Sequence, residues 1–208
     1  MVSMILNGTI ALVSPLAWLQ ILRGRGSDAN LAARGAGSLK YYTVLSNLFS
    51  AAVSATYLIA FLLPGAAPST PMLALKLAAA AVVMVTFLVT ALLLVPRYGR
   101  SLYRGGNFWM HLVLPLCALL DVVAYVPVGT LPLGATWGSA AFTALYGVSY
   151  LKPILQHGAQ KDGKVYDFYG FLRWGDDKLP LVAACLILAS WGIALAIWLA
   201  SRLVMAAQ

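Results

Sequence analysis

The sequence predicts an all-α, polytopic integral membrane protein: one six-helix transmembrane bundle over residues 1–208, with N- and C-termini outside. Three observations predict it. The chain is 62% hydrophobic and only 10% charged, and its mean hydropathy of +0.86 lies far above that of soluble domains. Its apolar runs recur at about the 20-residue length that crosses a bilayer. Twelve of its fourteen Lys and Arg residues fall in three connections: Arg23 to Lys40, Arg97 to Arg104, and Lys152 to Lys178. The intervening connections, Pro64 to Thr70 and Pro127 to Thr136, carry no charge. Because Lys and Arg in short loops stay on the cytoplasmic side, this alternation predicts an orientation as well as a span count.

The spans are expected at roughly 3–22, 41–63, 71–95, 107–127, 132–155 and 179–201. The first begins without a basic segment, since Met1 to Asn7 is uncharged, and runs into the basic loop at Arg23. It therefore reads as a retained span, not a cleaved signal peptide. The second opens on Lys40-Tyr41-Tyr42-Thr43. The third is uncharged apart from Lys76, which is expected to snorkel from near a span end, as is Arg202 beyond the sixth. The fourth runs from Asn107 past His111 to Asp121. The fifth ends near His157, read as interfacial. Cys117 and Cys185 fall inside the fourth and sixth spans and read as buried apolar residues. Of the loops, Gly24 to Asn30 is Gly-rich and reads as flexible. The loop Lys164 to Phe171 is dense in aromatics and is expected along the inner membrane surface.

The net charge of +8 needs no nucleic acid partner, because basic loops beside a bilayer are attracted to anionic headgroups. No hydrophilic stretch is long enough for a second domain, and no internal repeat of the transporter kind is visible. One intramembrane His, one intramembrane Asp and no Glu imply no metal, and no cofactor is expected.

Polar groups in hydrocarbon require partners or a function. Thr43, Asn47, Ser50 and Ser54 follow i, i+4, i+7, i+11 spacing and share one helical face; helix-to-helix hydrogen bonding alone would also explain them. His111 is the one histidine inside a span, and imidazole is the side chain best suited to moving a proton near neutrality. Counted from the basic loops, Thr43 and His111 lie at similar depth, roughly 5–8 Å inside the boundary. Contact between spans two and four would pair a hydroxyl with the base that activates it. Asp121 is about 15 Å farther along span four, too far to orient His111. It reads as a buried carboxyl hydrogen-bonded across helices, or as an ion or proton site.

The segment Leu39-Lys40-Tyr41-Tyr42-Thr43-Val44-Leu45-Ser46-Asn47-Leu48, with Asn107-Phe108-Trp109-Met110-His111-Leu112-Val113-Leu114-Pro115 downstream, resembles the androgen-induced and androgen-dependent protein family of multi-spanning membrane proteins. The resemblance covers spans two to four, and the six-span count fits the whole chain. Asp167-Phe168-Tyr169-Gly170-Phe171 resembles only the bacterial branch, which would place the chain in a cell inner membrane. The late Trp-Tyr-Pro-Phe type segment of animal members is not found; Tyr150-Leu151-Lys152-Pro153 stands nearest to it. The resemblance implies an atypical threonine hydrolase acting on fatty acid esters of hydroxy fatty acids or similar lipids, with Thr43 and His111 at the two catalytic positions.

The expected function is thus an intramembrane lipid ester hydrolase, with Thr43 as nucleophile and His111 as general base on a fatty-acyl ester from the membrane. Asn47, Ser46, Asn107 or backbone N–H groups would bind substrate or oxyanion, and Lys40 or Arg104 would hold a substrate carboxylate. The alternatives are a small transporter or channel subunit, with Asp121 and Asn47 on a polar route, and a non-catalytic lipid-binding protein.

Overall fold

The computed structural model describes residues 1–23, 35–63 and 68–207. The Gly-rich stretch from Gly24 to Asn30, with Arg25, together with Arg34 and positions 64–67 of the neutral connection, lies outside the described residues. The chain is all-α and about 85% helical. Six long helices make up most of it: α1 Val2–Leu22, α2 Tyr42–Leu62, α3 Thr70–Leu94 and α4 Gly106–Ala124, α5 Trp137–His157 and α6 Leu179–Ala206. Among the described residues, five helices are long and apolar enough to cross a membrane. Helix α5 is not in that set although it has 21 residues. Its buried face is polar, carrying Ser139, Thr143 and Tyr150, and Lys152 and Pro153 follow on its last turns.

Helix α3 is the hub, touching α2, α4, α5 and α6. Its residues from Lys76 to Thr86 are buried without a break. The run Ala78 to Ala81 explains how, since small side chains let neighbouring backbones approach closely. Helix α4 approaches α1 the same way: a Cβ on Gly106 would run into the backbone carbonyl of Ala17. Odd- and even-numbered helices run in opposite senses. The start of α4 lies against the end of α1 at Gly106 and Ile21, and Leu179 at the start of α6 packs on Tyr150 and Ile154 near the end of α5. The described basic connections therefore gather at one end of the bundle.

Two proline-linked irregularities interrupt the long helices. At Thr90–Leu94 and again at Trp109–Val113 the backbone widens into a single π-turn. Pro96 and Pro115 lack the N–H that would continue the α-helical ladder, and a widened turn absorbs the missing bond. His111 sits in the middle of the second π-turn.

Two expectations are corrected here. Lys76 does not snorkel: it is 2% exposed, because the helix that carries it has neighbours on every side at that level. Its ammonium instead meets Asp121 at 2.7 Å and donates to Asn7 Oδ1 at 2.6 Å. Asp121 also accepts from Asn7 Nδ2 at 2.8 Å and from the Ser3 hydroxyl at 2.6 Å, so its links across helices include a cation. Cys185 is exposed and Cys117 only half-buried, since α6 presents an outward apolar face at Leu181 and Leu188. The aromatic loop follows α5 at the end where the basic connections gather. It turns back through a two-residue hairpin, Gln160–Lys161 with Lys164–Val165, whose Asp162-Gly163 turn has both φ angles positive. The chain then seals the end of the bundle.

Candidate functional site

Thr43 is the second residue of α2, and His111 lies in the π-turn five residues into α4. Their side chains meet, with Thr43 Oγ1 and His111 Nε2 3.2 Å apart. The imidazole is buried, beside the Leu102 backbone, and its Nδ1 makes no hydrogen bond among the described residues.

Asn47 fixes this encounter. Its side-chain nitrogen donates to the Thr43 carbonyl at 2.8 Å and to the Met110 carbonyl at 3.2 Å. One fully buried amide therefore ties together the two backbone segments that carry the hydroxyl and the imidazole. Both of its N–H donors are engaged, so it acts as a clamp and presents neither to a ligand. Ser46 adds a second tether, donating to the Thr43 carbonyl at 3.1 Å and meeting Thr86 Oγ1 of α3 at 3.1 Å. Ser50 and Ser54 are buried on the same face.

The charged candidates lie elsewhere. Lys40 is exposed, its ammonium 4.7 Å from the Phe168 ring and 5.4 Å from that of Tyr41. Arg104 is exposed and Asn107 half-buried just before the π-turn. None of these three lines the cavity that reaches Thr43. Asp121 belongs to the Lys76 network, and among the described residues no three His, Cys, Asp or Glu side chains come together.

The cavity, about 140 Å³ in volume, lies between α3, α5 and α6 with the aromatic loop over it. Thr43 is on its wall, with Val89 and Leu93 of α3, Leu151 of α5, and Leu186 and Ile187 of α6. Hydroxyls of Thr86, Thr90 and Thr143, several tyrosines and Arg173 punctuate a mainly apolar lining. It opens where Leu93, Arg173 and Trp174 are exposed.

The loop that covers it is held from two sides. Asp167 accepts from the backbone N–H groups of Phe171 at 2.8 Å and Leu172 at 2.9 Å and from the Tyr150 hydroxyl. Tyr169 reaches inward to accept from the Tyr42 N–H at 2.9 Å, an otherwise unpaired donor in the first turn of α2. Burial there pushes the Tyr169 phenol up to about 12. Tyr146 donates to the Lys40 carbonyl at 2.8 Å, so loop and helix together fix the residues that lead into Thr43.

Arg173, Tyr146 and Tyr150 were not among the site residues expected from the sequence. Their signal was present only as the aromatic density of the loop and as tyrosines spaced i, i+4 on α5. No protein-family model, no curated protein and no solved structure matches this chain.

Proposed function

We propose that this protein is a multi-pass membrane hydrolase of fatty-acyl esters, using Thr43 as nucleophile and His111 as its general base. The observation that carries the reading is the 3.2 Å approach of the two groups at the wall of an apolar cavity. A hydroxyl is a weak nucleophile without an adjacent base, and an acyl chain needs an apolar slot beside it.

His111 Nε2 removes the hydroxyl proton as Thr43 Oγ1 bonds to the ester carbonyl carbon. The tetrahedral intermediate collapses with cleavage of the carbon–oxygen bond to the alcohol, which departs with the proton from His111. Water then adds to the acyl-threonine, passing its proton to Nε2. The acid leaves as Oγ1 is reprotonated. The first turn of α2 offers N–H groups to the oxyanion. Of these, the Tyr42 N–H is already engaged by Tyr169, which leaves the Thr43 N–H. With Nε2 as the acceptor, Nδ1 carries the ring proton, and the Leu102 backbone lies beside the ring.

The membrane setting is a six-span bundle with both termini outside and the basic loops inside, in the inner membrane if the host is bacterial. Five sufficiently apolar helices support it. The outward face of α5 supports counting that helix too: Leu145, Val148 and Leu155 are 74%, 65% and 76% exposed, which suits lipid and not water. The resemblance to the androgen-induced and androgen-dependent protein family supports the same substrate class. Against a transport role, both Asp121 oxygens are held by Lys76, Asn7 and Ser3.

The test is hydrolysis of p-nitrophenyl acyl esters by purified protein in neutral detergent. Wild type turns them over, while Thr43→Ala and His111→Ala, still folded, fall to background. Turnover retained by either variant overturns the assignment.

A further inference from the structure

Among the described residues, the cavity at Thr43 has one charged residue on its lining, Arg173. We propose that Arg173 binds the anionic end, carboxylate or phosphate, of an amphiphile whose chain occupies this cavity. The proposal rests on the hydrolase reading only for what then happens to that molecule, which would be an ester bearing an anionic group remote from its scissile carbonyl.

Four observations converge. Arg173 stands on the short turn Phe171–Trp174, whose place is fixed by Asp167 through the Phe171 and Leu172 N–H groups and by Tyr150. The cation is thus presented on a braced element. Its guanidinium lies 4.5 Å from the Trp174 ring centre; stacking of this kind holds the planar fork in place and leaves its edge N–H donors free for a two-oxygen acceptor. No acid in the described residues forms an ion pair with it: Asp167 is committed to its own loop, and Asp177 pairs with Lys178 at 2.8 Å. Lys40 rests on Phe168 and does not line the cavity.

The rest of the lining is apolar apart from hydroxyls, so an anion has one place to go. A volume of about 140 Å³ matches the engineered protein cavity that admits benzene. It therefore takes a chain segment of about six carbons. A longer chain would continue out between α3 and α6, past the exposed Leu93.

Binding is tested on the full-length Thr43→Ala protein in neutral detergent, so that turnover plays no part. Octanoate, octyl phosphate and methyl octanoate are titrated, and affinity is read from thermal stabilisation. At least one anion is expected to bind about tenfold more tightly than the neutral ester, as a charged hydrogen bond would give. Arg173→Gln erases that preference and Arg173→Lys keeps part of it. Octanoate ahead of octyl phosphate identifies a free carboxylate as the ligand, and the reverse order a phosphate headgroup. Equal binding of all three, or a preference unchanged in Arg173→Gln, overturns the proposal. If wild type hydrolyses no ester while the Arg173-dependent preference persists, the hydrolase reading fails and this one stands.

Discussion

Replacing Lys76 by methionine strands Asp121 without its cation inside the bundle. The two groups are 2.7 Å apart with side chains 3% and 0% exposed, so neither can turn to solvent. Removing one member of such a pair costs about 3–5 kcal/mol, whereas replacing both by apolar residues is close to neutral or stabilising. Lys76→Met and Asp121→Leu should each lower the unfolding midpoint by about 6–20 °C for a chain of this size. The double variant should return to within about 5 °C of wild type. Asn7 and Ser3 limit the recovery, because each loses its bond to Asp121. The assay is thermal unfolding in detergent, followed by tryptophan fluorescence for all four proteins of the cycle. Losses that add in the double variant, or single variants as stable as wild type, would refute the reasoning that the pair is held as a unit.

Three further outcomes follow from the same geometry. Asn47→Leu breaks the clamp between the Thr43 and Met110 carbonyls without touching the cavity lining. It should lower kcat by about 10²-fold with KM little changed, as measured by steady-state ester hydrolysis. Gly106→Ala pushes α4 from the Ala17 carbonyl, destabilising the fold by about 1–3 kcal/mol and lowering activity through His111, which is five residues along; wild-type stability and rate together would contradict it. The Tyr169 phenol is raised to about 12 from the usual 10.0, so its protonated form is favoured in the folded chain. Its stabilising contribution is complete below pH 10 and is lost as pH rises through about 12. Alkaline unfolding of Tyr169→Phe should lack that part of the pH dependence.

How far the sequence could be read depended on whether a residue's neighbours lie near it in the chain or across the bundle. Counting from the basic loops placed Thr43 and His111 at one level, and that count works because helices rise by a constant step. The shared face of Thr43, Asn47, Ser50 and Ser54 followed from helical periodicity alone. The direction of Lys76 could not be read this way. Hydropathy treats a lone lysine near a span end as free to reach water, and its partners Asn7 and Asp121 are 69 and 45 positions away. The function of Asn47 was legible only as polarity, since an amide that clamps carbonyls looks the same in sequence as one that awaits a ligand. Arg173 was counted among the loop charges. What separates it from Lys161 or Lys164 is the folding back of the loop by Asp167, Tyr150 and Tyr169, contacts made with helices α5 and α2 and not with neighbours in sequence. The π-turn at His111 was also unread, although Pro115 four residues later is its local cause.

The central claim, that Thr43 is a nucleophile activated by His111, is tested most directly by covalent capture. The purified protein is treated with an alkyl fluorophosphonate, which a nucleophilic oxygen displaces at phosphorus with loss of fluoride, and the peptides are then sequenced by mass spectrometry. One adduct is expected, on Thr43 Oγ1, absent in Thr43→Ala and lost in His111→Ala. An enzyme that hydrolyses esters yet carries its adduct on another side chain, or labels Thr43 equally well without His111, would contradict it.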